Sequence, residues 1–288
     1  MIKGIGVNID THRISGSFDS FLKELSFFKT LGFDYVEIPV AGLGVMYGGV
    51  LVEPMIRAIQ NAIADSGMKI TVHGSDYVNF RRARREDLEI FTATLEFAAR
   101  VNAETTVYHC GPIELDSVKT AKTAEIETLK SLSLKAEELG ISIAVENTNH
   151  LVSEVIQIVE KVNSPFVRPL IDVGHLFISC NYRGESFEKE FRVGLDSCIE
   201  LHLSDNFGKS KQGFDEIVEK NSMYVFGIGD LHLPLGYGAI PYERIFKYIK
   251  DSKFSGIVIL EINDMNRFRN DYAACLRTIR DRLEGGSG

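Results

Sequence analysis

The chain alternates between short apolar runs rich in β-branched residues and longer amphipathic stretches, and this alternation repeats eight times. Such alternation is typical of βα units built around a parallel sheet. The predicted strands are Gly4–Ile9, Asp34–Val40, Lys69–Gly74, Thr105–Cys110, Ser142–Asn147, Arg168–Val173, Cys198–Leu203 and Gly256–Ile262. Because these runs are almost continuously apolar, we expect helices to cover the strands from outside.

Amphipathic patterns with a helical period lie between the predicted strands. They predict helices at Phe18–Leu31, Glu53–Ser66, Glu86–Val101, Ser117–Leu139, Ser153–Val162, Ser186–Val193, Pro241–Asp251 and Arg267–Leu283. Gly32, Gly67 and Gly140 each follow a predicted helix end, where a left-handed backbone favours glycine. The positions of these glycines therefore agree with the helix ends that the hydrophobic pattern predicts.

Eight βα units in 288 residues predict a single α/β domain, a (β/α)₈ TIM barrel, rather than several small domains. The catalytic barrel is expected to span residues 1–284, and the Gly-Gly-Ser-Gly sequence at 285–288 is expected to be a flexible tail. The predicted connection from Ser204 to Ile240, after the seventh strand, is far longer than a usual βα loop. Long structured connections of this kind are usually functional.

Residues of the types that bind metals fall at the C-terminal ends of six successive predicted strands. They are His73, His109, Glu146, Asp172, His202 and Glu261. The C-terminal ends of barrel strands converge on one mouth, so these residues are expected to be neighbours in space. A single histidine at a strand end is usually a hydrogen-bonded core residue, but six successive strand ends favour a divalent-metal site.

Three further residues of the same types lie just beyond the strands. His175 follows Asp172 by three positions, and Asp230 and His232 lie in the long connection. If that segment is extended, alternation places the side chains of Asp230 and His232 on one side, where they can bind one cation together. We expect these three residues, together with His73 and His109, to bind an additional metal or the substrate, whereas His12 and His150 are expected to have polar loop roles.

The residue types also restrict the metal. Imidazole and carboxylate groups without a thiolate suit Mn²⁺ or Zn²⁺ best, with Fe²⁺, Co²⁺ and Mg²⁺ as alternatives, and suit Ca²⁺ less well. Glu146 and Glu261 come from separated strands, with Asp172 and His202 between them. Two carboxylates on opposite sides of a cation can transfer protons on opposite faces of a bound substrate.

Composition adds few constraints. The four cysteines have no paired spacing, and the first residues lack an export signal, so we expect a cytoplasmic protein. No apolar run has the length of a bilayer, so we expect no membrane association. The net charge of −8 does not indicate a surface for polyanions. We expect the basic cluster Arg81-Arg82-Ala83-Arg84-Arg85 to be a solvated helix start. Homo-oligomeric assembly is compatible with the sequence.

These motifs resemble the xylose-isomerase-like TIM-barrel superfamily, above all its sugar phosphate isomerase/epimerase-like branch. The resemblance rests on HGSDYVNF, VYHCG, AVENTN, LIDVGH, ELHLSDN, DLHLPLGYG and VILEIN. Similarity to ketose epimerases implies one Mn²⁺-like ion bound by Glu146, Asp172, His202 and Glu261, with the two glutamates as acid and base. It implies an isomerase or epimerase in carbohydrate metabolism, acting on a small sugar, sugar phosphate or polyol-derived substrate.

The same superfamily contains the endonuclease-four type of AP endonuclease, a metal-dependent phosphodiesterase. Resemblance to that branch implies a three-metal cluster that additionally uses His73, His109, His175, Asp230 and His232. The chain departs from the nuclease pattern at three places. It has ENTNH instead of ENTAG, SDN instead of DSK and EIN instead of ETP. We therefore expect a small sugar-type substrate rather than nucleic acid, with the phosphodiesterase as the alternative.

Overall fold

Parallel strands form a closed barrel in the computed structural model, which describes residues 2–115 and 120–285. The barrel strands are β1 (Gly4–Asn8), β2 (Tyr35–Pro39), β3 (Lys69–His73), β4 (Ala103–His109), β5 (Ser142–Glu146), β6 (Val167–Asp172), β7 (Glu200–Leu203) and β8 (Ile257–Leu260). Each strand pairs in parallel with the next, and β1 pairs with β8 to close the barrel. The predicted TIM barrel is confirmed.

Helices surround the barrel. In the described ranges they are α1 (Thr11–Ile14), α2 (Phe18–Leu31), α3 (Glu53–Ser66), α4 (Arg85–Arg100), α5 (Ala121–Leu139), α6 (Val152–Val162), α7 (Val173–Arg183), α8 (Phe187–Leu195), α9 (Lys220–Phe226), α10 (Tyr242–Asp251), α11 (Met265–Phe268) and α12 (Asp271–Leu283). Short 3₁₀ turns lie at Phe80–Arg82 and Ile113–Leu115, and a two-stranded hairpin pairs Met46–Tyr47 with Val50–Leu51. The backbone at Gly32, Gly67 and Gly140 is left-handed, as predicted.

Two helix predictions and one strand prediction need correction. The helix predicted at Ser117–Leu139 begins at Ala121 in the structure, and residues 116–119 lie outside the described residues. The single helix predicted at Arg267–Leu283 is wrong, because α11 ends at Phe268 and α12 begins at Asp271. Helix α7 was not predicted at all. It starts directly after β6 without a loop, so Val173 is its first residue rather than the end of a strand.

The interior of the barrel contains polar as well as apolar side chains. Val107, Ala144, Leu170 and Ile199 form an apolar cluster between strands β4 to β7. Fully buried polar residues lie on the same strands and on their neighbours, namely Glu37, Thr71, Thr105 and Glu200. The larger hydrophobic core lies between the outer faces of the strands and the helices.

The connection between β7 and α10 is fastened to the barrel by its first residues. Asp205 pairs with Leu233 in an isolated antiparallel bridge. The buried carboxylate of Asp205 accepts backbone hydrogen bonds from Asn206, Gly236, Gly238 and Ile240, at 2.9–3.2 Å. A Cβ atom at Gly238 would lie 2.3 Å from the carbonyl oxygen of Asn206, so this close approach requires glycine. The connection therefore returns over the barrel mouth in a fixed position.

The basic cluster at residues 81–85 differs from the expectation at its first residue. The Arg81 side chain is completely buried, and its Nε donates to Glu125 Oε2 at 2.7 Å. Its Nη1 donates to the carbonyl oxygen of Pro112, and its Nη2 lies 3.0 Å from Nε2 of His150. The expected solvated role is thus wrong for Arg81, which ties α5 to the loop after β4. The other arginines are exposed, namely Arg82, Arg84 and Arg85.

No helix within residues 2–115 and 120–285 combines the length and apolar character needed to cross a membrane.

Candidate metal centre at the barrel mouth

The side chains predicted from the six strand ends meet at one place. Strand register aligns His109 with Glu146, and Asp172 with His202. The last residue of β6, Asp172, is also the N-cap of α7, and its Oδ1 accepts the backbone N–H of His175 at 2.6 Å. This cap positions the first turn of α7, so that His175 joins the residues from the strands.

Glu146 is the central carboxylate of the cluster. Its Oε2 atom lies 3.3 Å from His109 Nε2, 3.9 Å from His73 Nε2 and 3.7 Å from His202 Nδ1. Its Oε1 atom lies 3.5 Å from His175 Nε2. One carboxylate thus contacts four imidazole rings that come from four different elements.

Two groups of candidate ligands share this carboxylate. In each group the ligand atoms lie within 4.8 Å of one another. The first group is Glu146, Asp172 and His202, and the second is Glu146, His73 and His109. Glu261 extends the first group, because its Oε1 atom lies 3.3 Å from His202 Nδ1.

Asp230 and His232 approach the cluster from the long connection. Asp230 Oδ2 lies 2.5 Å from His232 Nε2 and 3.8 Å from His175 Nε2, and His232 Nδ1 lies 3.7 Å from Glu261 Oε2. The two residues therefore face the same site, but the reason given for it was wrong. The segment is not regularly extended, since His232 has a left-handed backbone with φ of 47°. A left-handed backbone is uncommon for a residue other than glycine, and such conformations concentrate at functional sites.

The cluster fits a bound cation. Among the described residues, several of its buried atoms make no hydrogen bond, and these are Glu146 Oε2, Asp172 Oδ2, His202 Nδ1, Asp230 Oδ1 and His232 Nδ1. Buried polar atoms almost always have a hydrogen-bond partner, so a group of them around one point requires an explanation. Imidazole nitrogens and carboxylate oxygens are ligands for divalent transition metals, which would satisfy these lone pairs together.

The electrostatics of the metal-free cluster show how its charges compensate one another. Burial disfavours a charge on His73, but Glu37, Asp76 and Glu146 together raise its pKa to about 9. Burial, with added repulsion from Glu146 and Glu261, raises the pKa of Asp172 to about 7. Protons on the imidazoles therefore replace a cation as the counterions of the carboxylates.

The two glutamates proposed as acid and base are both held ionised. Burial acts to raise the pKa of Glu261, but His202 and His232 lower it to about 2. The pKa of Glu146 is also lowered well below its usual range, because His109, His202 and His175 outweigh the effect of burial. A carboxylate that stays ionised at neutral pH can accept a proton from a substrate.

Sequence reasoning missed two carboxylates beneath the cluster. Glu37 in β2 and Glu200 in β7 are fully buried, and an oxygen of each lies 3.4 Å from His202 Nε2. The signal was present in the sequence, since YVEIP and CIELHL place a glutamate inside an otherwise apolar strand. Both faces of a barrel strand are covered, so a glutamate there must be buried.

The two histidines that were assigned polar loop roles lie apart from the ligand cluster. His150 is fully buried and contacts Arg81, as described above. His12 lies in α1 and lines the outer part of the mouth.

A cavity of about 210 Å³ opens at the mouth above the cluster. Its walls include the buried residues Asn8, Glu146 and Glu261 and the exposed residues Asp76 and Tyr77. Drug-sized ligands usually occupy pockets of roughly 300–1,000 Å³. The cavity is therefore suited to a small polar molecule.

A family model described as xylose isomerase-like TIM barrel matches residues 25–282, and the chain belongs to this family. The chain is 22% identical over 257 residues to the L-ribulose-5-phosphate 3-epimerase UlaE of Shigella flexneri serotype 5b, an alignment that covers 85% of this chain and 82% of that protein. Among solved structures, a D-tagatose 3-epimerase-like protein is similar with a TM-score of 0.74, at 19% identity and over 98% of this chain and 97% of that chain. The IOLI protein, solved with a bound zinc atom, is similar with a TM-score of 0.67, at 16% identity and over 99% and 100% of the two chains. The structural likenesses show the fold.

Proposed function

We propose that this protein is an enzyme, a divalent-metal-dependent epimerase or isomerase of a small sugar, sugar phosphate or polyol-derived substrate. The observation that carries the proposal is the pair of ionised glutamates, Glu146 and Glu261, which both face Nδ1 of His202 and line the cavity. The similar protein UlaE is a sugar phosphate epimerase, which supports a sugar substrate rather than abasic DNA.

Glu146, Asp172, His202 and Glu261 would hold the cation, with Mn²⁺ or Zn²⁺ as the leading candidates. The unbonded atoms of Glu146, Asp172 and His202 and the zinc bound by the similar IOLI protein support this assignment. A bound divalent cation polarises a carbonyl and the adjacent hydroxyl group, which makes the neighbouring C–H bond more acidic.

Glu146 and Glu261 carry out the proton transfers. One glutamate removes the proton from the carbon next to the carbonyl group, and the other returns a proton to that carbon or its neighbour. Both carboxylates are ionised before the reaction, because the surrounding imidazoles lower their pKa values. The order in which the two glutamates act depends on which face of the sugar each one meets.

The remaining site residues form the outer part of the centre. His73 and His109 share Glu146 as a second ligand group, and His175, Asp230 and His232 surround the opposite side. We assign these five residues to substrate hydroxyl groups or to a further cation. Metal stoichiometry separates the two roles, since a second cation would be lost in His73→Ala and His109→Ala while the first remained. Cytoplasmic location and homo-oligomeric assembly stay predictions from the sequence.

A substrate panel in D₂O tests the reaction. Ketoses, aldoses and their phosphates are incubated with metal-loaded protein and followed by NMR, beside an abasic-site oligonucleotide. We expect interconversion of at least one sugar pair, with deuterium entering next to the carbonyl group. Glu146→Gln and Glu261→Gln should abolish turnover while the fold persists, because the amide keeps the shape and loses the base.

The matched control is Glu190→Gln, which alters a buried carboxylate far from the site. Glu190 accepts the backbone N–H of Ser153 at 2.9 Å and joins α6 to α8. Turnover in this variant should equal that of the wild type. Metal-dependent cleavage of the oligonucleotide, without exchange or turnover in any sugar, would overturn the proposal in favour of the phosphodiesterase.

A further inference from the structure

Two buried carboxylates lie in the barrel interior, one layer below the candidate ligands. Glu37 and Glu200 are both 0% exposed. Within the described residues, neither forms an ion pair with a lysine or arginine, and the only ion-pair partner of each is His202. Burial of a carboxyl group costs free energy unless its oxygens have polar partners, so contact with this ring must matter for both.

The other contacts of these carboxylates fix their orientation. Glu37 Oε1 accepts a hydrogen bond from Asn8 Nδ2 at 2.8 Å, and Glu37 Oε2 accepts one from the Thr71 hydroxyl at 3.4 Å. Glu200 Oε2 accepts a hydrogen bond from the Thr105 hydroxyl at 2.5 Å. Neutral donors on three different strands thus hold the carboxylates, which leaves Glu37 Oε2 and Glu200 Oε1 facing the imidazole.

The imidazole of His202 has a pair of carboxylates at each ring nitrogen, and only the pair at Nδ1 lines the cavity. Its Nε2 atom lies 3.4 Å from an oxygen of both Glu37 and Glu200. Its Nδ1 atom faces Glu261 at 3.3 Å and Glu146 at 3.7 Å, and makes no hydrogen bond among the described residues. With a cation on the Nδ1 side, the neutral ring carries its hydrogen on Nε2, where ionised Glu37 and Glu200 can accept it, and keeps its lone pair on Nδ1.

We propose that Glu37 and Glu200 are positioning residues that hold His202 in the tautomer whose Nδ1 atom binds the cation. The inference rests on the proposed metal site and extends it by one layer into the barrel. Acceptors behind a metal-bound histidine fix the ring and increase its basicity, and their removal commonly costs roughly 10–100-fold in metal affinity. Neither glutamate is among the residues that line the cavity, so we assign them no contact with the substrate.

The experiment compares Zn²⁺ affinity in the wild type, Glu37→Gln, Glu200→Gln and the double variant, by competition with a chromogenic chelator. We expect each single variant to bind Zn²⁺ about 10-fold more weakly and the double variant about 100-fold more weakly. Glu190→Gln, which also removes a buried negative charge, should retain the wild-type affinity. Circular dichroism and thermal unfolding show that each variant is folded.

Wild-type protein provides a second measurement that does not depend on variants. Long-range ¹H–¹⁵N spectra of the Zn²⁺-loaded protein with ¹⁵N-labelled histidine report which ring nitrogen carries hydrogen, with His202 assigned by comparison with His202→Gln. We expect hydrogen on Nε2 and metal on Nδ1. Metal on Nε2 would overturn the inference. Unchanged Zn²⁺ affinity in a folded double variant would also overturn the inference. A wild type that binds no metal would instead refute the proposed function itself.

Discussion

The first prediction concerns Asp205, because this one carboxylate fastens the connection that carries Asp230 and His232. Asp205 is fully buried and accepts four backbone N–H groups. Asp205→Ala removes all four acceptors at once. The strand-end ligands are held by the barrel and do not depend on these bonds, so the change should affect the mouth and leave the barrel intact.

The size of the effect follows from where the four donors lie. The amides at Gly236 and Gly238 belong to partly exposed residues and can regain water, whereas those of Asn206 and Ile240 are buried. An unsatisfied buried donor costs about 1–3 kcal/mol, so two of them cost about 4 kcal/mol. At about 2–4 °C per kcal/mol, Tm should fall by roughly 10 °C. Asp205→Asn keeps one acceptor oxygen and should cost about half as much.

Urea unfolding measures the stability, and amide hydrogen exchange locates the change. We expect faster exchange at Ile240 and at Leu233, whose N–H donates to the backbone carbonyl of Asp205. We also expect Asp230 and His232 to bind their cation or substrate more weakly. Asp215→Ala is the matched control, because Asp215 is an exposed aspartate in the same connection and its loss should change stability by less than about 0.5 kcal/mol. The reasoning would be refuted if Asp205→Ala were as stable as the wild type and its amide exchange at Ile240 were unchanged.

Three further predictions follow from the site and its surroundings. Asp172→Ala or His202→Ala should lower Mn²⁺ or Zn²⁺ affinity in calorimetry by at least about 10-fold without unfolding the barrel, and unchanged affinity would show that the site is misplaced. The pKa of His73 is raised to about 9 in the metal-free protein, so its stabilising effect is complete below about pH 6.5 and is lost as pH rises through about 9. Urea unfolding of the metal-free proteins gives the difference in free energy of unfolding between the wild type and His73→Gln. This difference should decrease between pH 6.5 and 9.5, by at most about 3 kcal/mol. A difference that stays constant over this range would contradict the prediction. Arg81→Ala should cost about 3–5 kcal/mol because Glu125 then stays buried without its cation, and a loss below about 1 kcal/mol would contradict the structural role.

The barrel and its strand-end residues could be predicted because both depend on local sequence. Each strand is a short apolar run, and parallel topology brings all C-terminal strand ends to one mouth whatever the loops do. The positions of His73, His109, Glu146 and Glu261 around one cavity therefore needed no knowledge of tertiary contacts. Their proximity in the structure agrees with the prediction made from the sequence, and their roles stay proposals.

What the sequence did not reveal depends on contacts between distant residues. Arg81 was interpreted as a surface residue because its neighbours are charged, and its buried partner Glu125 lies 44 positions away. Helix α7 was missed because Asp172 serves both as the last residue of β6 and as a helix cap. A helical pattern that starts without a loop has no turn residues to mark it.

The role of the Ser204-Asp205-Asn206 sequence also depends on contacts between distant residues. As a motif it supported resemblance to one branch of the family, but nothing in the sequence indicated what the residues do. In the structure Asp205 binds the returning connection, and Asn206 Nδ2 donates to the carbonyl oxygen of Gly174 at 3.0 Å. The motif thus joins the long connection to the start of α7, which places His175 and His232 on one side of the cavity.

The polar layer beneath the mouth gives an independent reason to assign the site to binding. Well-packed apolar residues in place of a buried ionic group are often neutral or favourable for folding, by about 1–4 kcal/mol. Glu37, Glu200 and His202 are therefore not explained by stability, and the apolar cluster around Val107 shows that other positions in the same barrel are filled with hydrophobic side chains. Glu37 and Glu200 lie at Nε2 of the ring whose Nδ1 faces Glu146 and Glu261. A buried network with this placement is best explained by the ligand that it holds.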